Sequence, residues 1–177
     1  MRRILLVLFG FAGPAAAQQQ MTSAAAPNAA VNTAKTVWMV PRSFVLRALE
    51  QVPDSLLAFK PTPAVRSLGQ LFAHIADGEH LFCSLALGEP APNPFDGNEK
   101  TKKTKAELQQ ALQESLAHCE RAYAQTDAAA QTPAEFFGQK QNRLFLLTMN
   151  GAHDYEHYGN IVTYLRLKGL TPPSSQQ

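Results

Sequence analysis

The chain has 177 residues, 45% hydrophobic and 17% charged, with a formal net charge of +2. That is enough apolar material for one domain with a real core, and it excludes a disordered, low-complexity protein. Arg2 and Arg3 carry the whole excess of charge, so without the first 17 residues the charge falls from +2 to 0, which excludes nucleic acid as a charge-driven partner.

The first 17 residues read as an export signal. Met1-Arg2-Arg3 is a positive start, Ile4 to Gly13 a short apolar run, and Ala15-Ala16-Ala17 the small residues a signal peptidase requires. The run is too short to span a bilayer comfortably, and no Cys stands at the site for a lipid anchor. Cleavage after Ala17 predicts a periplasmic or secreted chain that starts at Gln18 and keeps no membrane anchor. An uncleaved N-terminal anchor is the alternative.

Residues 18–34, rich in Gln, Ala and Asn, predict a flexible leader, with a domain over 35–174. From about Lys35, Val37, Val40, Phe44, Val45, Ala48 and Leu49 recur at helical spacing. Val52-Pro53-Asp54 ends that helix. A second helix is expected from about Arg66 to Leu87, capped at Ser67, with Leu68, Leu71, Ile75, Gly78, Phe82 and Leu85 as its buried stripe. His74 stands on that stripe. His80, six residues further on, points elsewhere and reads as a surface residue.

A loop rich in Pro, Gly and Asn follows, over about 88–103. Thr104 and Glu107 then make a capping box and open a third helix with Leu108, Ala111, Leu112, Leu116 and Cys119 on its apolar face. His118 lies off that face and reads as solvated. Residues 126–140 are expected to be irregular, with one helical turn covering an end of the core. A fourth helix runs from about Asn142 to Lys168 and stops at Gly169. One of its faces carries Leu146, Met149, Asn150, His153, His157, Asn160, Ile161 and Tyr164. Four helices of this length predict an all-α fold, a four-helix bundle.

Cys83 and Cys119 fall in separate helices, so either a disulfide staples the second helix to the third or both are buried free thiols. Their spacing does not support thioredoxin-like chemistry.

His153 and His157 are four apart, which stacks two imidazoles on one side of a helix. With His74 from a facing helix, three nitrogens could meet one divalent cation and leave positions open for a small-molecule substrate. The set suits Zn, Ni or Fe without choosing among them. An ion with an open position acidifies water and so supplies a nucleophile. The bland alternative is three packed or hydrogen-bonded histidines. Asp77 and Asp154 could serve as outer partners of an imidazole, though salt-bridged surface carboxylates are the commoner role. Glu156 reads as a surface charge. His153-Asp-Tyr-Glu-His157 also fits the H-x-x-E-H protease motif, but no Asp or Glu follows Glu156 to complete such a site.

Together these stretches resemble the DinB/YfiT-like superfamily of four-helix metalloenzymes. The resemblance covers about Lys35 to Ser174 and rests on Pro61-Thr-Pro-Ala-Val-Arg-Ser-Leu-Gly-Gln-Leu-Phe-Ala-His74, on His153 to Asn160, and on Tyr164-Leu-Arg166-Leu-Lys-Gly169-Leu-Thr-Pro-Pro173. It implies that His74, His153 and His157 ligate one divalent metal. The family often has Gly-Gln after the last ligand, where this chain has Gly159-Asn160. Characterised relatives include thiol-cofactor transferases and isomerases, while others hydrolyse, and homodimers are frequent. The readings that follow are a metal-dependent hydrolase or transferase of a small molecule, a non-catalytic metal-binding or stress-associated envelope protein, and a thiol-dependent transferase. The last ranks lower because such thiols are chiefly cytoplasmic. Tyr155, Tyr158 and Asn160 are candidates to line the pocket, and no general base is evident.

Overall fold

A computed structural model describes residues 27–93 and 97–176. The expected signal segment and most of the expected leader lie outside the described residues. Four long helices form the bundle: α1 (Ala29–Gln51), α2 (Leu68–Leu87), α4 (Lys105–Ala122) and α6 (Arg143–Leu167). Two single-turn helices, α3 (Asn98–Thr101) and α5 (Asp127–Ala130), and a hairpin of β1 (Pro133–Phe136) and β2 (Gln139–Asn142) complete the described fold. Among the described residues, no helix is long and apolar enough to cross a membrane.

The capped helices start where their caps are written. Ser67 with Gln70 and Thr104 with Glu107 form complete capping boxes, and Asn142 accepts from the Phe145 N–H. The first helix differs. It begins at Ala29, inside the expected leader, and Val31 is fully buried. Its opening N–H groups at Ala30 and Val31 donate to the Asp127 carboxylate of α5, at 3.0 and 2.9 Å. The cap therefore comes from a residue nearly 100 positions away, which no local pattern announces.

The region expected to be irregular up to Lys140 holds the hairpin as well as the helical turn. Phe136 pairs with Gln139 across a two-residue turn, Phe137-Gly138, with φ of 48° and 75°. Positive φ at both central residues is what a type I′ turn requires. At the other end, Gly169 adopts φ 72° and closes α6, and the chain folds back so that Ser174 meets the Tyr158 hydroxyl.

Packing of α2 on both α4 and α6, and of α1 on α6, sets the order of the bundle. One apolar cluster gathers Val45, Leu49, Phe72, Ile75, Leu112 and Ile161, and another Trp38, Phe82, Tyr123, Leu146 and Leu147. A buried polar layer lies between them, with Arg42 from α1, Glu79 from α2, Ser115 from α4, and Asn150 and Asp154 from α6. Glu79 accepts from Trp38 Nε1 at 2.9 Å, from Arg42 Nη1 at 2.6 Å and from Ser115 Oγ. Arg42 also donates to the Leu112 carbonyl. Asp154 is fully buried beside this group, not on the surface as expected.

Cys83 and Cys119 form a disulfide between α2 and α4, with Cα atoms 5.1 Å apart. The alternative of free thiols is set aside. Asn150 Nδ2 lies 3.6 and 3.7 Å from the two sulfurs.

Burial, reinforced by the neighbouring Asp154, pushes the Glu79 carboxyl up to about 8, against the pull of Arg42, Ser115 and Trp38. Burial likewise raises Asp154 to about 7. A raised folded pKa means that the native state holds the proton longer than the unfolded chain. The contribution is therefore complete below the unfolded value and is lost as pH rises through the folded one. The site histidines act oppositely, because burial lowers them, but that effect is complete by about pH 7. In metal-free protein we expect urea stability to fall between pH 7 and about 8.5, by at most about 1.4 kcal/mol per pH unit for each proton released. Glu79→Gln should flatten that slope; an unchanged slope would remove Glu79 as its source.

Candidate metal centre

His74 comes from the middle of α2, and His153 and His157 from successive turns of α6, the helix packed against it. One nitrogen from each ring lies within 4.8 Å of the others. The His153 and His74 Nε2 atoms face each other at 3.3 Å. The ring centroids are 4.4 to 5.1 Å apart, and the two pairs that include His157 meet edge-on. The three residues singled out by sequence are thus brought together.

Outer contacts fall on the other nitrogens. His74 Nδ1 lies 3.3 Å from Glu99 Oε2. His157 Nδ1 is 3.5 Å from the side-chain amide of Asn160. His153 Nδ1 has no hydrogen-bond partner among the described residues, and Asp154 Oδ1 is 3.7 Å away. For His74 the Glu99 contact leaves Nε2 turned toward His153, the arrangement that metal-binding imidazoles use. Gly78 supplies the room, since a Cβ there would stand 2.3 Å from His153 Cε1.

Burial lowers the His74 imidazole to about 4, helped by Arg66 and His153 and opposed by Glu99 and Asp77. Burial, with His153, His74 and Arg66, takes His157 to about 3. His153 is also lowered, mainly by burial. Near neutral pH all three rings are uncharged, the form in which a nitrogen can donate to a cation. The site is chemically fit for a borderline divalent ion.

Glu99 was not signalled by the sequence. It lies on α3, within the stretch expected to be loop, and Arg66 Nε binds both of its oxygens at 3.1 Å. Asp77, predicted as a surface carboxylate or an outer partner of an imidazole, is buried and holds α3 in place. It accepts from the Asn98 N–H and side chain at 2.8 Å and from the Glu99 N–H at 2.9 Å. Gly97 permits this approach, because a Cβ there would meet Asp77 Oδ1 at 2.3 Å. Asp77 thus acts one step further out, through Glu99.

The remaining candidates separate. His80 and His118 pair with each other, centroids 5.2 Å apart, away from the triad. His118 is not solvated as expected; its side chain is 15% exposed and its Nε2 lies 3.0 Å from Ser84 Oγ. Tyr158 packs on Phe44 and Tyr155 is exposed. Neither lines the cavities at the triad. Two cavities flank the histidines: one of about 860 Å³ touches His74 and His153, and one of about 570 Å³ touches His157 and Asn160.

Comparison with known proteins agrees with this architecture. The model of the DinB superfamily matches residues 42–161. The chain belongs to the DinB superfamily. A DinB-like protein from Bacillus cereus is similar in structure at 19% identity, with a TM-score of 0.67 over 80% of this chain and 95% of that one. A DinB-like protein from Bacillus subtilis is similar at 23% identity, with a TM-score of 0.66 over 82% of this chain and 99% of that one. A mycothiol-dependent maleylpyruvate isomerase is similar at 17% identity, with a TM-score of 0.61 over 74% of this chain and 60% of that one. No curated protein matches the chain.

If Asp77 fixes α3, then Asp77→Ala should release it. Amide hydrogen exchange at Asn98 and Glu99 is expected to accelerate at least about tenfold, with a stability loss of about 1–3 kcal/mol. Unchanged protection of those two amides would mean that α3 is held by something else.

Proposed function

We propose that His74, His153 and His157 hold one divalent transition metal, Zn, Ni or Fe, and that this protein is a metal-dependent hydrolase or transferase of a small molecule, working in the cell envelope after export. The observation that carries the reading is the convergence of the imidazoles: the His74 and His153 Nε2 atoms face each other at 3.3 Å, and the third ring closes the group. A bound divalent ion supplies Lewis acidity toward a carbonyl or phosphoryl oxygen. The protein's own residues set the geometry around it. Glu99 orients His74, Arg66 holds Glu99, Asp77 fixes the turn that carries Glu99, and Gly78 makes space for His153. The cavities beside the triad favour a catalyst over a bundle that only stores an ion.

Export rests on the N-terminal pattern of the sequence, and the Cys83–Cys119 disulfide suits an oxidising compartment. The likeness to the mycothiol-dependent isomerase is one of fold, at an identity too low to carry its activity across. A thiol-dependent transferase therefore ranks below the broader reading.

The decisive test is elemental analysis of untagged protein, purified without chelator, beside the His153→Ala/His157→Ala variant. About one equivalent of transition metal is expected in the first and next to none in the second. Wild-type protein that stays metal-free after reconstitution with Zn, Ni and Fe would overturn the proposal. Export is checked by expression in a Gram-negative host: the mature chain should start at Gln18 in the periplasmic fraction. A chain that retains Met1 in the cytoplasm would refute it.

A further inference from the structure

One wall of the larger cavity offers no side-chain hydrogen bond. Gly78, Leu81 and Phe82 of α2 and Phe137 of the β1–β2 turn form it, beside the His153 ring. Phe82 meets that ring edge-on, with centroids 5.4 Å apart. Phe136 packs on Phe82 at 5.4 Å and on Phe137 at 4.4 Å, so phenyl rings run in series from His153 to the hairpin tip. Across the cavity the polar groups are engaged with one another. Arg66 Nε binds both Glu99 oxygens at 3.1 Å, and the Lys103 ammonium donates to the Glu99 carbonyl at 3.3 Å. A polar group pressed against the apolar wall would give up its water and find no partner, whereas a hydrocarbon group gains by leaving water.

Phe137 is the second observation. It is 75% exposed, with φ at 48°, and takes the first central position of the type I′ turn, where Asn is usual. A bulky residue with positive φ is a conformational outlier, and strain of this kind marks ligand clamps more often than plain turns. The fold gains little from the ring, because the hairpin is anchored by its neighbour Phe136, which packs on Phe82 and Phe145. Water does not reward it either, since an exposed phenyl ring is poorly hydrated. What lies beside the ring is the cavity that it lines.

From this arrangement we infer that the larger cavity takes a small molecule with a hydrocarbon group about the size of a phenyl ring, seated against Leu81, Phe82 and Phe137, and that Phe137 is the residue that selects for that group. The space, about 860 Å³, is of the size that holds a whole small molecule. The inference rests on the proposed metal centre only for the reaction: His74 and His153 line the same cavity, so the substrate class is a compound whose carbonyl or phosphoryl group lies near the histidines while its apolar group lies on the wall. The binding itself needs that wall alone and requires no charge on the ligand.

The test uses three uncharged probes: 4-phenylbutan-1-ol, butan-1-ol as the same chain without the ring, and triethylene glycol as a polar molecule of similar length. Amide-resolved NMR titrations are run on the full chain, metal-free and with Zn(II). Phenylbutanol should shift the amides of Leu81, Phe82, Phe137 and Gly138, and should bind at least about tenfold tighter than either other probe in both forms. Phe137→Ser should weaken it about threefold or more. Phe137→Tyr, which keeps the ring, should leave it within about twofold. The side chain is exposed, so circular dichroism should show the fold of both variants unchanged. Equal affinity for the three probes, shifts that fall on other parts of the bundle, or indifference to Phe137→Ser would overturn the inference. Binding of phenylbutanol only with Zn(II) present would also overturn it, because the hydroxyl on the ion and not the ring on the wall would then be the anchor. Failure of the metal centre would instead appear in the elemental analysis and leave metal-free probe binding intact.

Discussion

The bundle is organised around a polar cluster taken out of water. Glu79 sits wholly buried at the level where the two apolar clusters meet, and each neighbouring helix offers it something. From α1 come the Arg42 guanidinium and the Trp38 indole and from α4 the Ser115 hydroxyl, while the Asp154 carboxyl on α6 lies close enough to oppose its ionisation. A buried ion pair is weak evidence of stability, because desolvation consumes much of the attraction. What it enforces is register. Sliding α1, α2 or α4 by one turn would leave a buried charge or donor unpaired, a far larger cost than an imperfect apolar contact. The Cys83–Cys119 bridge adds a covalent constraint one turn away on α2 and α4, at the same junction.

That register is what makes the histidine site possible. His153 immediately precedes Asp154 on α6, so fixing Asp154 in the polar layer fixes where His153 leaves the helix. His157 follows one turn later. On α2, Gly78 immediately precedes Glu79, and its missing side chain is the space that the His153 ring fills. The adjacent buried layer thus aligns the two helices that supply the ligands, while the histidines stand toward the cavities. The two tasks fall on different faces of the same helices: Asp154 and Glu79 are buried among the packed helices, and His153, His74 and Gly78 line the cavity.

Much of this was legible in the sequence, and the rest was hidden for identifiable reasons. Helices with their caps beside them, at Ser67, Thr104 and Asn142, could be read directly. Helix α1 could not be bounded, because its N-terminal partner is Asp127 and its first buried turns use Val31 and Ala34 rather than large side chains. The hairpin escaped notice because its four-residue strands carry little alternation and its turn is Phe-Gly, not the usual Asn-Gly. The metal candidates were accessible from the i, i+4 spacing and one core-facing histidine. Their support was not. Asp77 and Asp154 were expected at the surface because charged residues usually are, and only tertiary packing shows which carboxylates are enclosed.

The outer contacts also show why a short motif understates such a site. The two histidines on α6 are written in one five-residue stretch, but Glu99 lies on a single-turn helix, fixed from behind by Asp77 and from the side by Arg66. A helix of one turn has no stability of its own. It persists here because a buried carboxylate receives its first N–H groups and because Gly97 lets the backbone come close enough to donate them. The same turn brings Lys100 and Lys103 to the cavity rim. One short segment therefore orients a candidate ligand and lines the space in front of it. Changes in the 97–103 segment would consequently disturb the setting of His74 and the wall of the cavity together, while changes on the far faces of α1 and α4 would not.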